Sequence, residues 1–263
     1  TGKSSTLKAG TYILSRNMDI AQMVDIICTG NPARKTVNVK IREGMEVEDI
    51  AELLVEEGIL DSTEEFLSLC KSGEAFSEYS FVNSILQSAD KDQRKYALEG
   101  YLFPDTYEVY ADASAKSVIT KMLIRFNEIF SDEYMDRAQE LNMTVDQAVT
   151  MASMIEREAK TADFDKVSAV FHNRLNSGMK LQSDAPLKYI LDAGNTLDYT
   201  SDQMAVNSPY NTYNIDGLPI GPICNPSAAA IKAALYPDSD FMGEGYLYFV
   251  LKSRTQDAND PDF

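Results

Sequence analysis

A chain of 263 residues is long enough to fold as one large domain or two smaller ones around a sizeable core. Hydrophobic residues make up 44% of it and charged residues 25%, which is typical of a globular protein and excludes a largely disordered one. The formal net charge of −17 argues against binding nucleic acid, or an anionic membrane surface, through a basic patch.

Cysteine and histidine are too scarce for several kinds of catalytic site. The three cysteines, Cys28, Cys70 and Cys224, are too scattered for a disulfide framework or a zinc cluster, and their redox state stays open. The single histidine, His172, argues against a zinc hydrolase or a Ser-His-Asp enzyme. The sequence contains no stretch of about 18 apolar residues, the length that a membrane-spanning helix needs. Because the chain begins at Thr1 and not at methionine, we expect it to be a piece of a longer protein.

The first 36 residues, 1–36, form an N-terminal segment that we expect to pack on the rest. Residues 10–14, GTYIL, are predicted to be a strand. A helix is predicted next, because apolar residues recur every three or four positions. These residues are Ile20, Met23, Val24 and Ile27.

Residues 37–88 predict a small module of one strand and two helices. Alternating apolar and polar residues over 37–41 indicate a half-buried strand. The helix that follows ends at Gly58, a residue type suited to a C-cap. Ser62 and Glu65 have capping-box spacing and predict the start of a second helix.

Residues 89–263 are predicted to form a larger, mixed domain after a polar junction over 71–95. Pro104 lies in an aromatic-rich extended stretch over 98–109. Helical patterns then cover 114–130, 144–160, 167–176 and 227–235, and a strand is predicted over 246–251. The fold class is therefore α+β, with a small βαα module joined to a larger mixed α+β domain.

Glu156 is the strongest candidate for chemistry. Thr144 and Gln147 have capping-box spacing, which predicts a helix from this point. Its apolar stripe consists of Ala148, Ala152, Ile155 and Ala159. Glu156 lies at the edge of the stripe, roughly 60–70° from its centre, while Arg157 is predicted to point away. A half-buried carboxyl there can donate a proton near neutral pH, although most glutamates in such places only reach into water.

The polar loops between residues 181 and 226 carry most of the candidate binding residues. Amides, hydroxyls and tyrosine rings suit a carbohydrate, because they match sugar hydroxyls and cover apolar C–H faces. Each such residue alone also fits a turn or a core position. The candidates for substrate binding are Glu99, Asn173, Gln182, Ser183, Asp184, Tyr210, Asn211, Thr212, Tyr213 and Asn225.

Several longer strings together resemble one enzyme family. They are EGYLFPDTYEV, ASMIEREA, VFHNRL with GMKLQSD, SPYNTY with GLPIGPICNPS, and YLYFV. In order and spacing they resemble the endolytic murein transglycosylases, from about residue 7 to Leu251. The resemblance implies that 37–88 is a lysin-motif-like module and 89–263 the catalytic transglycosylase domain.

The resemblance also implies a reaction. Such enzymes cleave the β-1,4 bond between N-acetylmuramic acid and N-acetylglucosamine in nascent peptidoglycan strands, without water, and leave a 1,6-anhydro-muramoyl end. Their catalytic glutamate is the first of the ExE pair and maps onto Glu156, acting as general acid and then as base. Glu158, about 160° away around the helix, should not be a partner acid. No metal or other cofactor is implied.

The family further implies partners and a location. These are peptidoglycan strands as substrate, peptidoglycan synthases as partners, and no nucleic acid. We expect a single-pass cell-membrane protein with its catalytic part on the extracytoplasmic face and an N-terminal anchor ahead of this chain. The alternatives are a non-catalytic peptidoglycan-binding scaffold and, ranked last, a pyridoxal-phosphate lyase, for which no phosphate-cradling glycine-rich loop is present.

Overall fold

The computed structural model of the chain describes Lys8, Tyr12, Leu14 and residues 18–29, 35–191 and 199–250. Helices dominate these residues and accompany a two-stranded sheet, so the predicted α+β class is confirmed. The elements are α1 Ile20–Thr29, β1 Thr36–Lys40, α2 Val47–Glu56, α3 Glu64–Ser72, α4 Ser80–Leu86, β2 Thr106–Tyr110, α5 Ala115–Ile129, α6 Asp132–Glu140, α7 Val145–Glu158, α8 Phe164–Asn176, α9 Ala185–Leu191, α10 Ser201–Met204, α11 Ala228–Leu235 and α12 Ser239–Glu244.

The sheet joins the two parts of the chain that the sequence separates at residue 88. Strands β1 and β2 are antiparallel, with Thr36 opposite Tyr110 and Lys40 opposite Thr106. The lysin-motif-like nature of 37–88 stays a prediction, but its strand pairs with one from the following segment. The hydrophobic core is likewise continuous, since buried residues from β1, α2, α5, α7 and α11 belong to one cluster.

Helix α7 lies at the centre of this core. The predicted capping box is present, because Thr144 Oγ1 accepts from the Gln147 amide at 3.1 Å and Gln147 Oε1 accepts from the Thr144 amide at 2.9 Å. Every residue from 148 to 155 is buried, so the helix is enclosed on more sides than one stripe predicts. Neighbours α8 and α11 pack against it and leave its last turn at the surface.

Other predicted helices are confirmed with small changes. Helices α1, α2, α5, α8 and α11 lie where periodicity places them, and Gly58 follows α2 with a left-handed φ of 67°. The capping box at Ser62 and Glu65 is wrong, because α3 begins at Glu64 after Thr63 without a side-chain cap. The strand over 10–14 lies mostly outside the described residues, which include only Tyr12 and Leu14 of it.

The strand predicted over 246–251 is also wrong for its described part. Residues 246–250 form no strand, and backbone groups here bond to side chains of α8 and not to another strand. Asn173 Nδ2 donates to the carbonyl of Tyr246 at 3.0 Å, and Arg174 Nε donates to that of Leu247 at 2.7 Å. The alternating apolar pattern of 246–250 therefore belongs to an irregular segment that packs on α8.

Two of the three cysteines lie in the core. Cys70, on α3, and Cys224 are fully buried thiols without a disulfide, and Cys28 is half-buried on α1. Burial raises the pKa of both Cys70 and Cys224 well above the usual value, so neither is a ready nucleophile. Among the residues that the structure describes, none of the helices has the length and apolar composition to cross a bilayer.

Candidate active site

Glu156 is half-buried in the last turn of α7, as predicted for the edge of the stripe. Its Oε2 accepts two hydrogen bonds from Ser227, one from the backbone amide at 2.9 Å and one from the hydroxyl at 2.6 Å. Ser227 is the N-cap of α11, and its Oγ accepts from the Ala230 amide at 3.1 Å. Ser227 Oγ accepts this bond through a lone pair, so the single proton of its hydroxyl remains available to donate to Glu156.

The two oxygens of the Glu156 carboxyl therefore differ. Oε2 is held by two donors at the positive N-terminal end of α11. Oε1 accepts no hydrogen bond from any residue in the described ranges. A carboxyl fixed through one oxygen keeps the other free to exchange a proton with a substrate.

One wall beside Glu156 is the Gly44 loop, residues 42–46, between β1 and α2. Gly44 has a left-handed φ of 76°, and a Cβ there would lie 3.7 Å from Glu156 Cγ. Arg157 was predicted to point away from the apolar stripe. It is exposed but not free, because its Nη1 donates to the Gly44 carbonyl at 2.9 Å. Its Nη2 forms an ion pair with Glu46 at 2.8 Å. The residue after Glu156 thus fixes this loop against the helix.

A cavity of about 250 Å³ lies beside Ser227, between the ends of the two strands and the start of α11. Its lining residues are Lys40, Ile41, Glu43, Phe103, Pro104, Asp105, Thr106, Ser227 and Ala228. The cavity beside Ser227, the partner of Glu156, is thus partly formed by residues of the predicted small module over 37–88. In the described part of the chain, no three histidine, cysteine or acidic side chains are grouped as metal ligands would be.

Glu99, predicted to bind substrate, is only 1% exposed. Its Oε2 accepts from the Val47 amide at 3.2 Å and the Tyr189 hydroxyl at 3.1 Å, and its Oε1 from Asn225 Nδ2 at 3.0 Å. Loss of hydration and, next, the nearby charge of Glu46 raise the pKa of Glu99 to about 8, against these donors. Glu99 and Asn225 are therefore buried together in the interior.

Tyr210 belongs to the same buried group. It is 3% exposed, its hydroxyl accepts from the Lys95 amide at 3.3 Å, and its ring lies 5.3 Å from that of Tyr189. Burial raises the pKa of Tyr210 to about 12, so the phenol stays protonated at any physiological pH.

The loops at 181–184 and 210–214 bond to each other on another side of α7. Ser183 and Thr212 exchange two hydrogen bonds at 3.0 Å, and the Ser183 hydroxyl donates to Glu158 Oε1. Glu158 thus has a different partner from Glu156, which agrees with its predicted place on the opposite flank. Gln182 is exposed between them and has a left-handed φ of 46°, a costly conformation for a residue other than glycine.

The polar groups of the remaining predicted residues bond within the protein. Asp184 accepts from the Tyr213 hydroxyl at 2.6 Å. Burial, and next this bond to Asp184, raise the pKa of Tyr213. Asn211 Nδ2 donates to the carbonyls of Met204 and Val206. Asn173 Nδ2 donates to the carbonyls of Phe241 and Tyr246. These contacts give each of these side chains partners within the protein, and their binding of substrate stays a prediction.

Ser227, the partner of Glu156, is not among the residues predicted from the sequence. Its only local signal is the string PSAAA, in which serine precedes three alanines and predicts a helix N-cap. That pattern indicates where α11 begins but not which carboxylate the serine meets.

An α+β protein with a half-buried carboxyl held on a single oxygen, whose serine partner lines a cavity, has the features of a single-acid enzyme site. The chain belongs to the YceG-like family, whose profile matches residues 1–260. The family resemblance drawn from the motifs is thus confirmed.

Individual relatives agree with this family assignment. The chain is 31% identical, over 95% of its length, to the endolytic murein transglycosylase of Bacillus subtilis (strain 168), of which it spans 68%. It is 30% identical to the enzyme of the same name in Streptococcus pneumoniae serotype 2, of which it spans 50%. The crystal structure of a yceG-like protein from Listeria monocytogenes superposes with a TM-score of 0.69 at 33% identity, covering 93% of this chain and 80% of that one.

Proposed function

We propose that this chain is a peptidoglycan lytic transglycosylase that cuts within glycan strands and uses Glu156 as its single acid and base. The observation that carries the proposal is the Glu156 carboxyl, with Oε2 held by Ser227 and Oε1 without a protein partner among the described residues. The family and its named relatives support the substrate class.

In the first step, Glu156 gives the proton on Oε1 to the oxygen of the β-1,4 bond. The bond from C1 of N-acetylmuramic acid to this oxygen breaks, and its electron pair stays with the departing N-acetylglucosamine hydroxyl. Positive charge develops at C1. The two Ser227 donors on Oε2 stabilise the carboxylate that forms at the same time.

In the second step, the same carboxylate takes a proton from the C6 hydroxyl of the muramic acid residue. That oxygen bonds to C1 and closes the 1,6-anhydro ring. The proton count returns to its starting value, and no water is consumed. A second carboxylate is unnecessary because the substrate supplies the nucleophile, unlike in ordinary glycosidases.

The surrounding elements would hold the strand. We assign a substrate contact to the exposed side chain of Gln182, whose backbone amide donates to the Thr212 carbonyl at 3.1 Å. This bond and the Ser183–Thr212 pair keep the two loops together. The unit formed by β1, α2, α3 and β2 would act as the lysin-motif-like module and orient the glycan, because its Gly44 loop borders Glu156.

The setting of the reaction is part of the same proposal. The chain spans about two thirds of the Bacillus relative and half of the streptococcal one. Both relatives therefore contain further segments that this chain does not match. We infer a membrane-anchored enzyme that acts on nascent strands outside the cell, beside peptidoglycan synthases, and so terminates strand growth.

The test is digestion of uncrosslinked peptidoglycan strands with the wild type and with Glu156→Gln, followed by mass spectrometry of the products. We expect 1,6-anhydro-ended fragments from the wild type alone. Reducing ends would indicate a hydrolase and contradict the single-carboxyl mechanism. Bound but uncut strands with the wild type would favour the scaffold alternative.

A further inference from the structure

Glu99 is a buried carboxyl that the proposed reaction does not use. Both of its oxygens are occupied by the three donors described above, Val47, Tyr189 and Asn225. These donors come from the start of α2, from α9 and from the loop ahead of α11. Glu99 thus joins three elements that are distant in the chain.

Asn225, one of these partners, bonds the loop ahead of α11 to the Gly44 loop. Its backbone amide and its Nδ2 both donate to the Met45 carbonyl, at 2.9 and 3.0 Å. Its own carbonyl accepts from the Gly44 amide at 2.9 Å, and its Oδ1 accepts from the Leu102 amide at 2.8 Å. With Glu99, these bonds use the whole Asn225 side chain.

Both loops joined by Asn225 reach Glu156. Ser227, two residues after Asn225, donates twice to Glu156 Oε2. Gly44, bonded to Asn225, lies against the side chain of Glu156. Glu99 also fixes the first residue of α2, Val47, which follows Glu46, the partner of Arg157.

We propose that Glu99 is a positioning residue that acts through Asn225 and Val47 to hold Ser227 and the Gly44 loop against Glu156. This role rests on the proposed transglycosylase activity. It differs from the substrate contact predicted for Glu99, because a side chain buried to this degree meets only protein.

A carboxyl group fits this place better than an amide. Both of its oxygens can accept, and the Val47 amide and Asn225 Nδ2, which cannot act as acceptors, need one oxygen each. A protonated carboxyl keeps both bonds, because its hydroxyl oxygen accepts from Val47 while it donates to the Tyr189 hydroxyl. A glutamine at position 99 has one oxygen, so its NH₂ group must face one of these two fixed donors. Glu99→Gln therefore breaks one link and leaves volume and packing almost unchanged.

The matched control is Asp146→Asn, at the other end of α7. Asp146 also accepts three hydrogen bonds, two from Arg94 and one from the Tyr101 hydroxyl at 2.7 Å. None of these donors belongs to Glu156, Ser227 or the Gly44 loop. Both substitutions change a carboxyl group with three donors into an amide, although Asp146 pairs with a guanidinium and Glu99 meets neutral donors, so the control tests the loss of an acceptor at the other end of the helix.

The experiment measures kcat, KM and the melting temperature with uncrosslinked strands. For Glu99→Gln we expect kcat to fall about 10- to 100-fold with KM within about twofold, the size typical of residues that orient a catalytic group. Asp146→Asn should lower the melting temperature and leave kcat near the wild type. A folded Glu99→Gln protein with wild-type kcat would overturn the proposal.

Two further variants keep the test decisive if Glu99→Gln folds poorly. Asn225→Ser removes the same link from the other side and should lower kcat in the same way. The double variant of Glu99→Gln with Ser227→Ala should be slowed by less than the product of the single effects, because both act on Glu156. Fully multiplicative effects would contradict a shared path. If the wild type itself makes no anhydro ends, the proposed function fails and not this role alone.

Discussion

The two ends of α7 each carry a carboxyl, and the two are held in opposite ways. At the first turn, Asp146 accepts from both Arg94 terminal nitrogens and from Tyr101, so both of its oxygens have donors. At the last turn, Glu156 is held through one oxygen only. Ten residues separate them, which is about 15 Å along the helix axis.

The cavities at the two ends of α7 also differ in size. A cavity of about 390 Å³ opens beside Asp146 and Arg94, whereas the one beside Ser227 is about 250 Å³. Both oxygens of the carboxyl by the larger of these two cavities already have donors, whereas Glu156 Oε1 has none among the described residues. Unused hydrogen-bonding capacity, and not cavity volume, is therefore the ground on which the proposed mechanism assigns Glu156 as the acid.

The largest expected effect comes from Glu156→Gln. The amide cannot donate and then accept the proton, so activity should fall by about 10²- to 10⁴-fold, while the melting temperature stays near the wild type. Strand digestion measures it. Glu158→Gln is the control, two residues along the same helix, and should lose far less. Equal losses in the two variants would break the distinction between these glutamates.

The next effect concerns the donor to Glu156. Ser227→Ala removes the hydroxyl but keeps the backbone amide, so kcat should fall about 10- to 100-fold. Ser227→Thr should retain most activity, because it keeps the hydroxyl. Steady-state kinetics on uncrosslinked strands measures both.

Ser114→Ala controls for the loss of a helix cap. Ser114 caps α5 by accepting from the Ser117 amide at 3.3 Å. Its loss should cost about 1 kcal/mol of unfolding free energy and leave kcat unchanged. If Ser227→Ala behaves like Ser114→Ala, Ser227 has only a capping role.

At the other end of α7, Asp146→Asn should affect stability and not activity. One acceptor for Arg94 is lost in a partly buried ion pair, so the free energy of unfolding should fall by about 1–3 kcal/mol. Urea denaturation measures the change. A large loss of kcat without a loss of stability would mean that both ends of the helix serve the reaction.

Glu99 gives a smaller, pH-dependent effect. Burial raises its pKa in the folded state to about 8, above its value in the unfolded chain, so folding favours its protonated form. Its contribution to stability is complete at acidic pH, below the unfolded value, and is lost as pH rises through about 8. The melting temperature of the wild type, relative to that of Glu99→Gln, should therefore fall between about pH 5 and 9. A constant difference would contradict this.

The smallest expected effect is that of a chelator. The proposed steps use only carboxyl, hydroxyl and backbone groups, so excess EDTA should leave the rate of strand cleavage unchanged. Loss of activity that added divalent metal restores would show that the single-carboxyl account is incomplete.

Local patterns predicted strand β1 and the helices α1, α2, α5, α7, α8 and α11, but not α4, α6, α9, α10 or α12. The capping box and apolar spacing of α7 depend on residues within a few positions, and the structure confirms them. The partner of β1 lies far along the sequence, with Thr36 opposite Tyr110, and no local signal indicates it. Residues 246–250 look like a strand but bond to Asn173 and Arg174 of α8, because no neighbouring strand is present among the described residues.

Local sequence patterns likewise predicted only part of the candidate site. Helical position and the family motif indicate Glu156 from the sequence, and the structure places it half-buried as expected. Ser227 lies 71 positions later in the chain, so only the fold brings it to the carboxyl. Residue type pointed to Glu99 and Asn225 as substrate contacts, but burial, which type alone does not determine, makes them internal.

In the proposed mechanism, one carboxyl completes the reaction with the substrate's own hydroxyl as nucleophile. Digestion of glycan strands in water labelled with oxygen-18, with mass spectrometry of the new ends, tests this most directly. We predict anhydro-muramoyl ends that carry no label. Labelled reducing ends, formed at the rate of strand cleavage, would show that water attacks C1 and would contradict the assignment of Glu156 as the only acid and base.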